Sequence, residues 1–161
     1  MQMESKIRVG EKAPDFTLNS TDLKPRRLSD FLNQSVVLAF FPGVFTSVCT
    51  REMCTFRDSL ARLNTLKAQV VGVSVNDPFS SKAFAEKNML TFPLLCDYNR
   101  EVTKLYGIEL LDFAGLKGYT AAKRSVFVID KQGIVRYAWV SDNPGIEPNY
   151  EEIEKLLEQT R

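Results

Sequence analysis

Residues 35–41 form a nearly unbroken apolar run, rich in β-branched and aromatic side chains, closed by Pro42 and Gly43. Such a run predicts a strand covered on both faces, as in a parallel sheet. After a loop, Met53, Phe56, Leu60 and Leu63 recur at spacings of three and four, the period of an amphipathic helix. Extending that stripe back four residues reaches Cys49, which is expected at the helix start, facing inward. Residues 70–75 predict a second buried strand. Turn residues follow at Asn76, Asp77 and Pro78, with Ser80 or Ser81 as candidate caps of a helix containing Phe84 and Met89.

The remaining pattern is shorter-ranged. Residues 14–18 lead through a polar turn at 19–22 to residues 23–28, an extended arm or hairpin ending in a short turn at 29–31. Residues 92–96 predict a short strand and 100–106 a short helix stopped by Gly107. Residues 125–130 and 134–140 flank Lys131, Gln132 and Gly133, a hairpin signal. Tyr150, Ile153, Leu156 and Leu157 line one side of a final helix near 149–159. The order is βαβαβ, then a hairpin and a helix. It predicts an α/β fold with a central mixed sheet flanked by helices.

Composition narrows the class. The chain has 161 residues, 44% of them hydrophobic and 25% charged. It is expected to form a single domain, residues 1–161, with a substantial core. A formal net charge of +1 gives no electrostatic case for nucleic acid or an anionic membrane. No run approaches the roughly 20 apolar residues that cross a bilayer, and the N-terminal residues are polar. A cytoplasmic location is the expectation, with the three cysteines as thiols. The absence of histidine excludes His-based zinc sites, Ser-His-Asp triads and Cys-His dyads. A cysteine nucleophile in this chain must be activated by arginine, a helix N-terminus or local hydrogen bonds.

The segment 41–52 carries the chemistry. A buried strand delivers the chain to a loop, and the loop opens a helix with Cys49 in its first turn. Unpaired N–H groups there stabilise an anion, and the thiolate is the nucleophilic form of cysteine. Thr46, three residues earlier, can turn its hydroxyl towards the sulfur or a bound oxygen. Pro42 brings no N–H to compete and can shield the sulfur from water.

These residues, Pro42-x-x-x-Thr46-x-x-Cys49, resemble the peroxiredoxin signature with its peroxidatic cysteine last. Glu52 and Arg124 also match family positions, as do the opening Gly10-x-x-Ala13-Pro14-Asp15-Phe16, the segment Phe92-Pro93-Leu94-Leu95, and Leu105-Tyr106-Gly107. The resemblance spans nearly the whole chain, and the element order matches a thioredoxin-like architecture. It implies a thiol-dependent peroxidase acting on hydrogen peroxide and organic hydroperoxides, with no cofactor and no metal. Cys49 would attack the O–O bond and become a sulfenic acid. Arg124 would polarise the thiolate, Thr46 would hydrogen-bond peroxide or sulfur, Pro42 would shield the pocket, and Glu52 would orient an arginine. Arg51, Arg57 and Lys123 are expected to be solvated surface charges.

Cys54, five residues after Cys49, is spaced as in the branch of bacterioferritin comigratory proteins, which implies an intrachain resolving cysteine. Residues five apart in an intact helix are separated by about 8–9 Å between Cα atoms, whereas a disulfide needs about 4.4–6.8 Å. Resolution by Cys54 therefore requires the first turns to unwind. Cys96 or an external thiol are the other candidates. The resemblance further implies a thioredoxin- or glutaredoxin-like reductant and a homodimer or larger homo-oligomer, with Val44, Phe45 and residues 110–116 as a candidate apolar surface. Three other readings compete. A redox-switched binding protein would not turn over peroxide. A thiol–disulfide oxidoreductase would use Cys-x-x-Cys, which is absent. Zinc held by Cys49, Cys54 and Cys96 lacks a fourth ligand.

Overall fold

The computed structural model describes residues 6–160. Strand β1 (Thr17–Ser20) pairs antiparallel with β2 (Pro25–Arg27). A 3-10 turn at Leu28–Phe31 leads to β3 (Ser35–Phe40), and helix α1 (Ser47–Thr65) returns the chain to β4 (Ala68–Ser74). Helix α2 (Pro78–Lys87) connects to β5 (Leu94–Cys96), followed by α3 (Glu101–Leu105). Two-residue strands β6 (Glu109–Leu110) and β7 (Ala121–Ala122) pair with each other. The hairpin of β8 (Ser125–Ile129) and β9 (Val135–Val140) follows, then α4 (Tyr150–Thr160).

The main sheet has seven strands in the order β2-β1-β5-β4-β3-β8-β9. Strands β3, β4 and β5 run parallel, while β8 lies antiparallel on the far edge of β3. This is the expected mixed α/β sheet, built from two βαβ crossovers and a hairpin. Because successive side chains on a strand alternate faces, β3 feeds two cores. Val36, Leu38 and Phe40 join Phe16, Tyr106 and Phe127 on one face. Val37, Ala39 and Phe41 join Cys49, Met53 and Phe56 of α1, Phe84 of α2 and Ile153 and Leu157 of α4 on the other. Cys49 is thus part of the second core and faces the sheet.

Several elements differ from the sequence expectation. The cap of α2 is Asp77, whose side chain accepts from the Ser80 amide at 2.8 Å. Pro78 occupies the first turn, where its missing N–H costs nothing. The expected caps Ser80 and Ser81 lie inside the helix. Met89 lies beyond its end, exposed and with φ +53°. Asn19 and Ser20 belong to β1 rather than to the turn. Residues 110–116, the candidate apolar surface, open with Leu110 at the end of β6 and contain a 3-10 turn at Phe113–Gly115. Gly133 closes the β8–β9 hairpin at φ +81°, a conformation glycine adopts without a Cβ penalty.

Candidate active site

Phe41 extends the ladder of β3 by donating its amide to the Val73 carbonyl at 2.9 Å. Pro42, which has no amide hydrogen, ends it and is buried. Three devices then shape the loop. The Val44 amide donates to Oδ1 of Asn76 at 3.0 Å, and the Ser74 hydroxyl donates to the same oxygen at 2.9 Å. Phe45 takes φ +63°, and its ring meets Phe84 edge-on with centroids 5.4 Å apart. The Thr46 hydroxyl donates to the Gly43 carbonyl at 3.0 Å. Thr46 is the extended N-cap residue of α1, but its hydroxyl serves the loop: it neither accepts from the helix amides nor donates to the sulfur.

The first α-helical bond of α1 runs from the Thr50 amide to the Thr46 carbonyl at 2.9 Å. The amides of Ser47, Val48 and Cys49 precede it and have no acceptor one turn back. Cys49 therefore sits in the first turn, at the positive end of a 19-residue helix, and is 1% exposed.

Arg124 enters from the segment before β8. Its Nη2 lies 3.2 Å from Sγ of Cys49, and its Nη1 donates to Oε1 of Glu52 at 2.8 Å. Nε and Nη2 both donate to the Pro144 carbonyl, at 3.1 and 2.8 Å. The planar fork is thus fixed from three sides, a task for which a lysine has the wrong geometry. The neighbouring thiol and carboxylate, outweighing burial, hold the guanidinium more firmly protonated than usual. Burial raises the Glu52 carboxyl to about 7, against the opposing pull of Arg124, and Glu147 pushes in the same direction as burial. Oε2 of Glu52 is buried without a hydrogen-bond partner.

The structure brings Cys49, Glu52 and Arg124 into direct contact and places Pro42 and Thr46 in the loop that precedes them. Cys54 lies further along the same unbroken helix, half-buried, with its Sγ 3.6 Å from Oδ1 of Asn88. Cys96 is buried in β5, where its backbone pairs with Asn19 and Ser74, and burial pushes its thiol up. All three cysteines are free. Lys123 is not a solvated surface charge: its side chain is 13% exposed and pairs with Asp142 at 2.6 Å. Arg57 likewise has a partner in the fold, donating to the Asn88 carbonyl at 2.7 Å. Arg51 is exposed, as expected, with Glu147 3.6 Å away.

Two residues of the site were missed from sequence. Pro144 contributes a backbone carbonyl, presented by a turn in which the Gly145 amide donates to Asn143 Oδ1 at 2.8 Å. The cluster Ser141-Asp142-Asn143-Pro144-Gly145 signals that turn but not its target. In the sequence Asn76 signals only a turn, whereas in the fold its amide oxygen anchors the loop before Cys49.

The AhpC/TSA family model matches residues 9–138. The chain is a peroxiredoxin of the AhpC/TSA family. It is 37% identical over 154 residues to a chloroplastic peroxiredoxin Q of Populus jackii, covering 96% of this chain and 70% of that one. It is 40% identical over 134 residues to a chloroplastic peroxiredoxin Q of Triticum aestivum, covering 83% of this chain and 59% of that relative's length. Among solved structures, this peroxiredoxin superposes on the peroxidoxin BcpB of Mycobacterium tuberculosis with a TM-score of 0.85 at 31% identity, covering 96% and 99% of the two chains. A mutant PrxQ of Xylella fastidiosa gives a TM-score of 0.85 at 25% identity, covering 98% and 99%. The expected branch is that of bacterioferritin comigratory proteins, and the relatives, named peroxiredoxin Q and BcpB, place the chain in the BcpB and peroxiredoxin Q type.

Proposed function

We propose that this peroxiredoxin reduces hydrogen peroxide and organic hydroperoxides through Cys49. The observation that carries the reading is the 3.2 Å contact between Arg124 Nη2 and Cys49 Sγ at the start of α1. A cationic donor and a helix N-terminus both favour the thiolate, which is the attacking species. In the first step Sγ attacks one peroxide oxygen and the O–O bond breaks. The other oxygen leaves as an alcohol or water after taking a proton, and Cys49 is left as a sulfenic acid. Arg124 stabilises the charge that develops on the peroxide oxygens, Pro42 limits water access, and the Thr46 oxygen, its proton donated to the Gly43 carbonyl, is left to accept from the peroxide O–H.

Cys54 is proposed as the resolving thiol. Its thiolate attacks the sulfenic sulfur, the S–S bond forms, the S–O bond breaks, and the departing hydroxide is protonated to water. A thioredoxin- or glutaredoxin-like dithiol then returns both cysteines to thiols. The reaction is placed in the cytoplasm, whose reducing poise keeps thiols free. A homodimer or larger homo-oligomer is proposed on the exposure of Phe45, Leu111 and Leu116.

The test is peptide mapping by mass spectrometry after one equivalent of hydrogen peroxide. A Cys49–Cys54 link is the expected product. Sulfenic or sulfinic acid at Cys49 without a link points instead to an external resolving thiol. An unmodified Cys49 overturns the assignment of the nucleophile.

A further inference from the structure

Cys54 does not project freely. It belongs to an unbroken helix, and its Sγ meets Oδ1 of Asn88, the residue that ends α2. Asn88 is itself fixed, since its Nδ2 donates to the Phe84 carbonyl at 2.9 Å. One turn beyond Cys54 on α1, Arg57 donates from Nη1 to the Asn88 carbonyl at 2.7 Å, while its Nε pairs with Asp58 at 2.9 Å. Two neighbouring residues of α1 are therefore tied to one residue of α2. The tie lies on the segment that must come apart, because residues five apart in a helix stand about 8–9 Å from each other and a disulfide closes at about 4.4–6.8 Å.

We propose that Asn88 and Arg57 are positioning residues of the resolving step: together they clamp Cys54 to the end of α2 and so govern how readily α1 unwinds to bring Cys54 to the oxidised Cys49. This rests on Cys54 being the resolving thiol. While the clamp holds, the sulfenic acid at Cys49 waits. A second hydroperoxide then competes for it, giving up one oxygen to convert the sulfenic to a sulfinic acid and leaving as alcohol or water. When the clamp opens, the disulfide forms and water departs. The clamp thus sets the partition between turnover and over-oxidation without touching the Cys49–Arg124–Glu52 cluster.

The experiment compares the wild-type chain with Asn88→Ala and Arg57→Met, the second keeping most of the aliphatic stem. Rapid-mixing kinetics follow the peroxide step and the disulfide step separately, and mass spectrometry measures sulfinic acid at Cys49 over a series of hydrogen peroxide concentrations. Each variant is expected to leave the peroxide step unchanged and to speed disulfide formation about fivefold, the worth of one net hydrogen bond. The peroxide concentration that over-oxidises half of Cys49 should rise by a similar factor. Because Asn88 also caps α2, Arg57→Met is the variant that decides if Asn88→Ala folds poorly. Unchanged or slower disulfide formation in Arg57→Met, with the Cys49–Cys54 link still formed, overturns the clamp alone. Absence of that link in the wild-type chain overturns Cys54 as resolver, and the clamp with it.

Discussion

Arg124 and Glu52 form an ion pair of 2.8 Å in which neither side chain is more than 1% exposed. Burying two charges is costly unless each remaining donor and acceptor is satisfied. Arg124 meets that condition through Pro144 and Cys49, whereas Glu52 leaves Oε2 without a partner. The pair is therefore incompletely satisfied on the carboxylate side, one helical turn from Cys49.

Arg124→Ala should damage both reaction and fold. The loss of one preorganised donor should slow peroxide reduction by about 10²–10³-fold. Removal of one partner from a buried pair should cost about 3–5 kcal/mol of stability. Rapid-mixing kinetics and urea denaturation measure the two effects. Arg124→Lys keeps the charge but cannot hold Pro144, Glu52 and Cys49 together, so its rate should stay low while part of the stability returns. A wild-type rate in either variant removes Arg124 from the chemistry.

Glu52→Gln should change how stability depends on pH. The folded carboxyl is raised to about 7 from 4.5, so the folded state binds this proton more tightly than the unfolded one. Its contribution to stability is complete below about 4.5, falls as the pH rises to about 7, and is flat above. Glutamine keeps an acceptor for Arg124 but has no proton to lose. Urea denaturation at pH 5 and pH 8 should therefore show a smaller loss in the variant than in the wild-type chain. Parallel losses would mean that Glu52 is already ionised at pH 5.

Asp77→Ala tests the cap that the structure assigned in place of Ser80 or Ser81. Asp77 accepts from both the Ser80 amide and hydroxyl, at 2.8 and 2.9 Å. Its removal should cost about 1 kcal/mol, measurable by urea denaturation, and should leave the reaction of Cys49 with peroxide unaltered. Ser80→Ala should cost much less, and the reverse order would restore the serine as the cap.

The legible and the illegible parts of this chain divide by the kind of signal. Strands β3, β4 and β8 were readable because each carries a run of buried apolar residues long enough to show its character, and β9, with only Val135 buried, was readable from the Lys131-Gln132-Gly133 turn before it. The inward placement of Cys49 followed from one extrapolated helical stripe. Strands β6 and β7 have two residues each, too few for any period. Pro144 acts through a carbonyl that every residue possesses, so its identity gives no hint of its use. The contact of Arg124 with Cys49 joins positions 75 apart and was accessible only through family resemblance. Lys123 looked solvated because composition does not reveal that its side chain lies against Asp142.

Cys54→Ser separates the two halves of the proposed cycle. Cys54 lies on the face of α1 that meets Asn88, away from the Arg124 contact, so the first reaction of Cys49 with hydrogen peroxide should proceed at the wild-type rate. No intrachain partner then captures the sulfenic acid. Steady turnover with a dithiol reductant should fall sharply, and sulfinic acid at Cys49 should accumulate at lower peroxide concentration. Cys96 is a poor substitute, since it is buried in β5 and burial holds its thiol protonated, which withholds the attacking thiolate. Non-reducing mass analysis decides the point: an intrachain disulfide still present in Cys54→Ser assigns resolution to Cys96, and a disulfide between chains assigns it to a second copy.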